Sequence, residues 1–275
     1  RLGQALGSAA GARASARLAP LPPGPVGEGH GAAQPWTVLD LPDRLVVFKP
    51  PGWEVEEGAW RTGHLQLVDY LRARCPGAPL LYDREHHWGL LHRLDVPSSG
   101  LVLAAKTHEA YFDLRLQLDS GALARDYLVL CRGLVPPARR EVRARVSGGA
   151  RGAARAASPG AVVRHGRPAR TALRALARAS RGGEAFTLLA VRIASGRRHQ
   201  IRVHAGHVGH PSVSDGKYTS ERAFVADLAW CPRNFIHRCR LGFRDAGGAW
   251  REALSPLPPD LAAALRALEP IGGAI

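Results

Sequence analysis

The 275-residue sequence contains no methionine. A chain without an initiator residue is expected to be a fragment, a processed form or a piece of a longer chain. Cysteine is scarce. Cys75, Cys131, Cys231 and Cys239 form no C-x-x-C pair and no dense framework, which makes a reducing compartment the default. No apolar run approaches the ~18 residues that a membrane-crossing helix needs, so no membrane is expected as a partner. No glycine-rich loop of the dinucleotide or P-loop type occurs, and no cofactor is expected. Lysine is nearly missing too, standing only at positions 49, 106 and 217. Residues 1 to about 35 hold no aromatic side chain and no acid before Glu28. Such a segment cannot build a core and is expected to be disordered. It is either a linker or the remnant of an organelle transit peptide, which are Arg-rich and acid-poor. The compartment is then either the cytoplasm or an organelle, mitochondrion or chloroplast.

Arginine, alanine and glycine are plentiful. The hydrophobic fraction is an ordinary 45% and the net charge is +15. That balance points to a polyanionic partner, nucleic acid ahead of a membrane surface. A GC-rich coding sequence also enriches arginine, so charge alone does not decide. The most basic stretch, Arg132 to Arg181, holds thirteen arginines against one acid, Glu141. Its middle, about 147–165, reads as a flexible basic insertion. It is either a solvated face or a grip on a phosphate backbone, in which case binding weakens steeply with salt.

Order begins at Trp36. Two β-type runs, Trp36 to Leu39 and Leu45 to Phe48, flank a turn and predict a hairpin. Helical patterns cover Gly63 to Arg74 and Thr107 to Leu118, the second ending near Gly121. Strands are expected at Ala124 to Leu130, near Val142 to Val146, near Thr171 to Leu176, and at Phe186 to Ile193. Ser195 is placed to cap a helix whose first turn carries Arg197 and Arg198. Cations there oppose the helix dipole, which implies an anion nearby. A last helix, Leu261 to about Leu268, starts from Asp260, and the domain is expected to run from 36 to 268 with 269–275 as a tail.

Two short apolar runs, Trp88 to Leu91 and Leu101 to Ala105, predict buried strands. Between them lies His92-Arg93-Leu94-Asp95-Val96-Pro97-Ser98-Ser99-Gly100. Pro97 to Gly100 are turn formers, so this is a loop carrying a carboxylate and a guanidinium. Asp95 is there either to bond its own turn or to do chemistry on a rigidly held loop. Metal readings are weak. Cys231, His237 and Cys239 lack a clear fourth ligand, and His199, His204, His207 and His210 do not share one helical face.

The string HRLDVPSSGLVLAAK resembles the RluA-type family of pseudouridine synthases, with Asp95 on the family's nucleophilic aspartate and Ser98 where threonine is usual. Further motifs follow in order: Lys49-Pro50-Pro51-Gly52; Arg125-Asp126-Tyr127; Gly166-Arg167-Pro168-Ala169-Arg170-Thr171; and Ser195-Gly196-Arg197-Arg198-His199-Gln200-Ile201-Arg202-Val203-His204. Gly209 to Tyr218 and Phe235 to Phe243 match two more, with Ser214 and Thr219 standing where glycine is usual. If those glycines adopt positive φ, either the two replacements are strained or the turn differs.

The resemblance implies an α+β fold: a mixed, mostly antiparallel central sheet flanked by helices, with a cleft across its middle. It implies an enzyme that isomerises uridine in tRNA or ribosomal RNA to pseudouridine, acting as a monomer without metal or cofactor. It makes Asp95, Tyr127 and Arg197 the catalytic set, with Arg197 paired to Asp95 and Tyr127 stacking on uracil or acting as a base. Arg93 fills the place of the flipped nucleotide, and His92, Ser99, Arg125, Arg198 and Arg202 join it in contacting RNA. His237 becomes a core residue. The alternative is a retired synthase domain acting as an RNA-binding or chaperone module, against which stands the presence of Asp95, Tyr127 and Arg197 together.

Overall fold

A strand can be apolar at every position only when both of its faces are covered. Leu45, Val46 and Val47 meet that condition, each fully buried in the computed structural model of the chain. The structure describes residues 34–55, 65–147, 162 and 166–272. Nearly all of the segment expected to be disordered, and most of the basic insertion, lie outside them.

The elements in chain order are β1 (Trp36–Asp40), β2 (Arg44–Lys49), β3 (Trp53–Glu54), β4 (Leu65–Gln66), α1 (Leu67–Arg74), β5 (Ser99–Ala105), α2 (His108–Asp119), β6 (Ala124–Arg132), β7 (Glu141–Arg143), β8 (Arg170–Arg181), β9 (Glu184–Ile193), α3 (Gln200–His207), α4 (Glu221–Leu228), β10 (Ile236–Arg244), β11 (Trp250–Leu254), α5 (Pro259–Arg266) and β12 (Glu269–Pro270). The main sheet runs β1-β2-β5-β10-β6-β9-β8-β12, with β11 beside β10 and β7 beside β8. Its pairings are antiparallel except one, β5 with β10. This is the mixed, mostly antiparallel α+β sheet that the resemblance implies.

Side chains alternate across the central strands, as a period of two requires. Leu45, Val47, Val102 and Ala104 pack with Leu67, Val68 and Leu71 of α1 on one face. Val46, Leu101 and Leu103 pack with Ala110, Tyr111 and Leu114 of α2 on the other. Each such side chain removed from water contributes about 1.5–3 kcal/mol. Thr107 caps α2 by accepting a hydrogen bond from the Ala110 amide at 3.2 Å.

Four local expectations need correction. Trp88 to Leu91 is not a strand. His87–Gly89 forms a 3-10 turn with Trp88 in a left-handed conformation (φ 51°), and only Leu90 bridges to Ala104. The helix placed from Ser195 starts at Gln200, so Arg197 and Arg198 precede it. Helix α5 starts at Pro259, two residues earlier than expected, with Pro258 at the N-cap position and the Asp260 carboxylate bonded to Arg233 at 2.5 Å. Finally, Glu269–Pro270, expected as tail, pairs with Ser180 and Ala179 at the edge of the sheet.

The parallel pairing within the main sheet sets Ser99 and Gly100 against His237 and Arg238. Gly100 has φ +126°, and a Cβ there would lie 2.4 Å from the Arg238 carbonyl oxygen. Gly121 also has positive φ (+76°) but faces open space. Gly121→Ala is expected to destabilise by about 1 kcal/mol through backbone strain alone. Gly100→Ala adds a backbone clash and is expected to lose about 3 kcal/mol or more. Thermal melts of the two variants check this; equal losses would remove the close approach of β5 to β10.

Candidate active site

The loop between Leu90 and Ser98 is pinned from both sides. Leu91 and Leu94 are buried, while Arg93 between them is exposed. The Ser98 amide closes a turn onto the Asp95 carbonyl at 3.0 Å. Beneath the loop, Lys49 at the end of β2 is fully buried, and its Nζ donates to the carbonyls of Pro50 (2.8 Å), Trp53 (2.9 Å) and Val96 (3.2 Å). Burial, then the charge of Arg233, push this ammonium down to about 7 against the upward pull of Asp95. Ser99 faces away from the cleft. It is fully buried and bonded to His237 Nδ1 (3.0 Å) and Arg233 (3.1 Å), so it supports the loop from beneath.

Asp95 projects into a cleft of about 430 Å³ whose lining includes seven arginines and two aspartates. Its Oδ2 accepts from Arg202 at 3.0 Å. The nearer group at Oδ1 is His199 Nε2, at 3.7 Å. Arg202 in turn forks onto Asp215, with Nε to Oδ2 at 2.8 Å and a second bond to Oδ1 at 2.7 Å. Asp215 is fully buried and also accepts from the Ser212 hydroxyl (3.1 Å) and the Lys217 and Tyr218 amides (3.1 and 3.3 Å). Burial works to raise its carboxyl, but the Arg202 bonds and charge outweigh this and hold it below the usual carboxylate range. Arg202 is buried enough to disfavour its charge, yet Asp215 and Asp95 raise it above the ordinary guanidinium value.

Arg197 therefore is not the partner of Asp95. Its Nε donates to the Pro168 carbonyl at 3.2 Å. The reason is the late start of α3. Gln200 accepts from the Arg197 amide (3.1 Å) and the Ser195 hydroxyl (2.8 Å), and donates to Arg170 O and Thr171 Oγ1, both at 3.0 Å. These bonds hold 195–199 as an extended turn, with His199 at φ 56°. The cation in the first helical turn is then Arg202, and its unfavourable place on the dipole is answered by two carboxylates.

On β6, Arg125 and Tyr127 point to the same buried face and reach the cleft. Arg125 is buried and donates to Ala194 O at 3.0 Å; burial lowers its pKa. Tyr127 accepts from Arg238 Nε at 2.9 Å, and Arg238 also donates to His92 Nδ1 at 2.7 Å. Arg93 and Arg198 stand exposed at the cleft wall. The sequence reading singled out neither Asp215 nor Arg238. A buried Asp is visible only as a residue of the Gly209–Tyr218 string, and Arg238 carries no local signal.

His237 is a core residue, with Nε2 bonded to Ser255 O at 3.2 Å and its pKa pushed down to about 4 by burial. Among the described residues, one group of metal-type ligands converges: Asp83, His86 and His108. There the Asp83 carboxylate already bridges both imidazoles, at 2.6 and 3.1 Å. No described helix is long and apolar enough to cross a membrane.

With this geometry in place, the likeness to known proteins is informative. The family model described as RNA pseudouridylate synthase matches residues 43–207, which span the Asp95 loop and all of α3. The chain belongs to the RluA-type RNA pseudouridine synthases. It is 35% identical over 261 residues to "Ribosomal large subunit pseudouridine synthase D" of Nitrosomonas europaea, covering 88% of this chain and 68% of that protein. It is 36% identical over 224 residues to an "Uncharacterized RNA pseudouridine synthase" of Chloroflexus aurantiacus, covering 80% of this chain and 65% of that one. The chain thus spans about two thirds of these relatives. A solved structure titled "Human RNA Pseudouridylate Synthase Domain Containing 1" shares the fold, with a TM-score of 0.68 at 22% identity over 89% of this chain and 91% of that one. Members of the family are enzymes that isomerise uridine in RNA.

Asp215→Asn leaves Arg202 facing one carboxylate in a site shielded from water, an expected loss of about 3 kcal/mol. Because the Asp215 carboxyl is depressed in the folded chain, its contribution is complete above the unfolded value near ~4 and fades as pH falls through the folded one. Melts of wild type and variant are therefore expected to differ by a constant amount from pH 8 to 5 and to converge below pH 4. A gap that widens in acid contradicts the assignment.

Proposed function

We propose that this chain converts a uridine of structured RNA, ribosomal RNA ahead of tRNA, to pseudouridine, with Asp95 as the reacting carboxylate. The carrying observation is the Asp95 carboxylate in an arginine-lined cleft, one oxygen held by Arg202 and the other without a hydrogen bond among the described residues, with His199 Nε2 3.7 Å away. Relatives named for the ribosomal large subunit support the choice of ribosomal RNA.

The reaction breaks the bond between uracil N1 and ribose C1′, turns the base, and rejoins it through C5. A base inside a helix is out of reach, so the nucleotide must swing out, at a cost of a few kcal/mol. Arg93, exposed on the lip of the cleft, occupies the space it leaves. Asp95 then attacks C1′ or acts as the acid–base group at the sugar. Arg202 aims the Asp95 carboxylate through its hydrogen bond to Oδ2. Tyr127 stacks on the uracil or moves its proton. Arg197 and Arg198 meet the RNA backbone, whose charge they oppose, while Arg125, buried at the floor of the cleft, faces the flipped nucleotide.

Tritium release from RNA labelled at uracil C5 tests this on ribosomal and transfer RNA separately. Wild type is expected to release tritium from ribosomal RNA, and Asp95→Asn to release none while binding RNA as wild type does. Arg202→Lys replaces a planar fork by a point charge and is expected to lose roughly 100-fold or more in rate. Arg197→Lys is expected to stay within about threefold. RNA binding without release from either pool would turn the reading to a non-catalytic RNA-binding domain. A severe loss in Arg197→Lys with an active Arg202→Lys would reverse the assignment of the two arginines.

A further inference from the structure

Arg238 is the least expected side chain in the cleft. It lies on β10, 1% exposed, under the floor of the site. Nε donates to the Tyr127 hydroxyl at 2.9 Å, and a terminal nitrogen makes a second, shorter bond to the same oxygen. The other terminal nitrogen donates to His92 Nδ1 at 2.7 Å and to the Leu101 carbonyl at 2.8 Å. A weaker bond reaches the Arg93 carbonyl at 3.3 Å. The guanidinium also packs 4.9 Å from the centre of the Tyr127 ring. No carboxylate is among these partners.

A guanidinium has donors and no acceptor, so every group it touches must accept. That requirement settles where two protons sit. His92 Nδ1 accepts, so the single proton of the neutral imidazole is on Nε2. Burial, helped by the charges of Arg238 and Arg125, holds His92 well below the ordinary imidazole value, so it is neutral at pH 7. His92 Nε2 is buried beside the cleft and has no hydrogen-bond partner among the described residues. Tyr127 accepts twice from Arg238, so its own proton must point elsewhere. Arg125 Nε is likewise buried without a partner. Unpaired buried donors are costly, about 1–3 kcal/mol each, unless a ligand supplies acceptors.

We propose that Arg238 is a positioning residue that fixes the hydrogen-bond polarity of the cleft floor: it leaves His92 as a donor through Nε2 and Tyr127 as a donor through its hydroxyl. With Arg125 Nε they form a subsite of donors alone. Such a subsite takes a base edge that presents carbonyl oxygens, as uracil does, and rejects one that presents an amino group, as cytosine does. The same donors face the negative charge that uracil gains when its bond to the sugar breaks. This rests on the isomerase reading above.

Two measurements on the full chain separate the inference from that reading. The first needs no RNA. With histidine labelled by 15N, His92, assigned by its loss in His92→Gln, is expected to show a protonated Nε2 and a bare Nδ1 at pH 7.5. A protonated Nδ1, or an imidazolium, overturns the proposal even in an active enzyme. The second is the steady-state rate of tritium release. Arg238→Met is expected to lower kcat roughly 100-fold with KM for RNA within about twofold. Arg238→Lys, which keeps a charge and a donor, is expected to recover part of the loss, and it carries the test if the Met variant does not fold. Because Arg238 acts in part through His92, adding His92→Gln to Arg238→Met is expected to cost less than the product of the two single losses. Losses that multiply, a Met variant at the wild-type rate, or a Lys variant no better than Met contradict it. If wild type releases no tritium, the isomerase reading fails, and the labelled histidine still tests the lock.

Discussion

Everything at the cleft depends on one guanidinium held between two carboxylates. Arg202 bonds Asp95 with one nitrogen and Asp215 with two, at 2.7 to 3.0 Å. Asp215 is fully buried and fixed by backbone amides, so it is the anchor. Asp95 sits on a loop whose other supports include Lys49, Leu91 and Leu94. Without Arg202 the carboxylate has no fixed direction, and without Asp215 the arginine has none. The fold supplies the geometry. The parallel pairing of β5 with β10 sets the loop's end against the strand that carries Arg238. The turn before α3 then brings Arg202, from far along the chain, to the same point.

Charge also explains why the cleft is built this way. Seven arginines line it against two aspartates, so an empty cleft is strongly electropositive. Arg125 and Arg238 lie so deep that solvent cannot screen them, and neither has a carboxylate partner among the described residues. A site of that kind favours a polyanion at its mouth and developing negative charge at its floor. Burial, helped by these same cations, keeps His92 neutral, which preserves it as a hydrogen-bond donor of fixed direction.

Much of the fold was legible because it rests on local rules. The β1–β2 hairpin, α2 and the long β9 follow from apolar period and turn chemistry. The left-handed Ser214 was foreseeable from the family glycine it replaces. Its φ of 55° is tolerated because its amide bonds Asp227 and its hydroxyl bonds the Cys231 carbonyl at 2.6 Å. Trp88 to Leu91 misled because burial, not strand pairing, accounts for its apolar residues. The Arg197 assignment misled for a different reason. A helix start was read from Ser195 as a cap, but Gln200 draws that hydroxyl into a longer turn. No local rule predicts which arginine two distant carboxylates will share. Arg238 was illegible on the same ground, since its partners Tyr127 and His92 lie 111 and 146 residues away, whereas Asp215 was hidden because its string does not say which cation its carboxylate will meet.

The claim that most needs a direct test is that Asp215 serves catalysis only through Arg202. The measurement is a double-mutant cycle on the rate constant for pseudouridine formation, using Asp215→Asn, Arg202→Lys and the two together, each corrected for its folded fraction. If Asp215 acts by aiming Arg202 at Asp95, removing it from an enzyme that already lacks the fork changes little. The double variant should then match Arg202→Lys within about twofold. If the two losses multiply, Asp95 is held by something other than this shared arginine, and the account of the site is wrong.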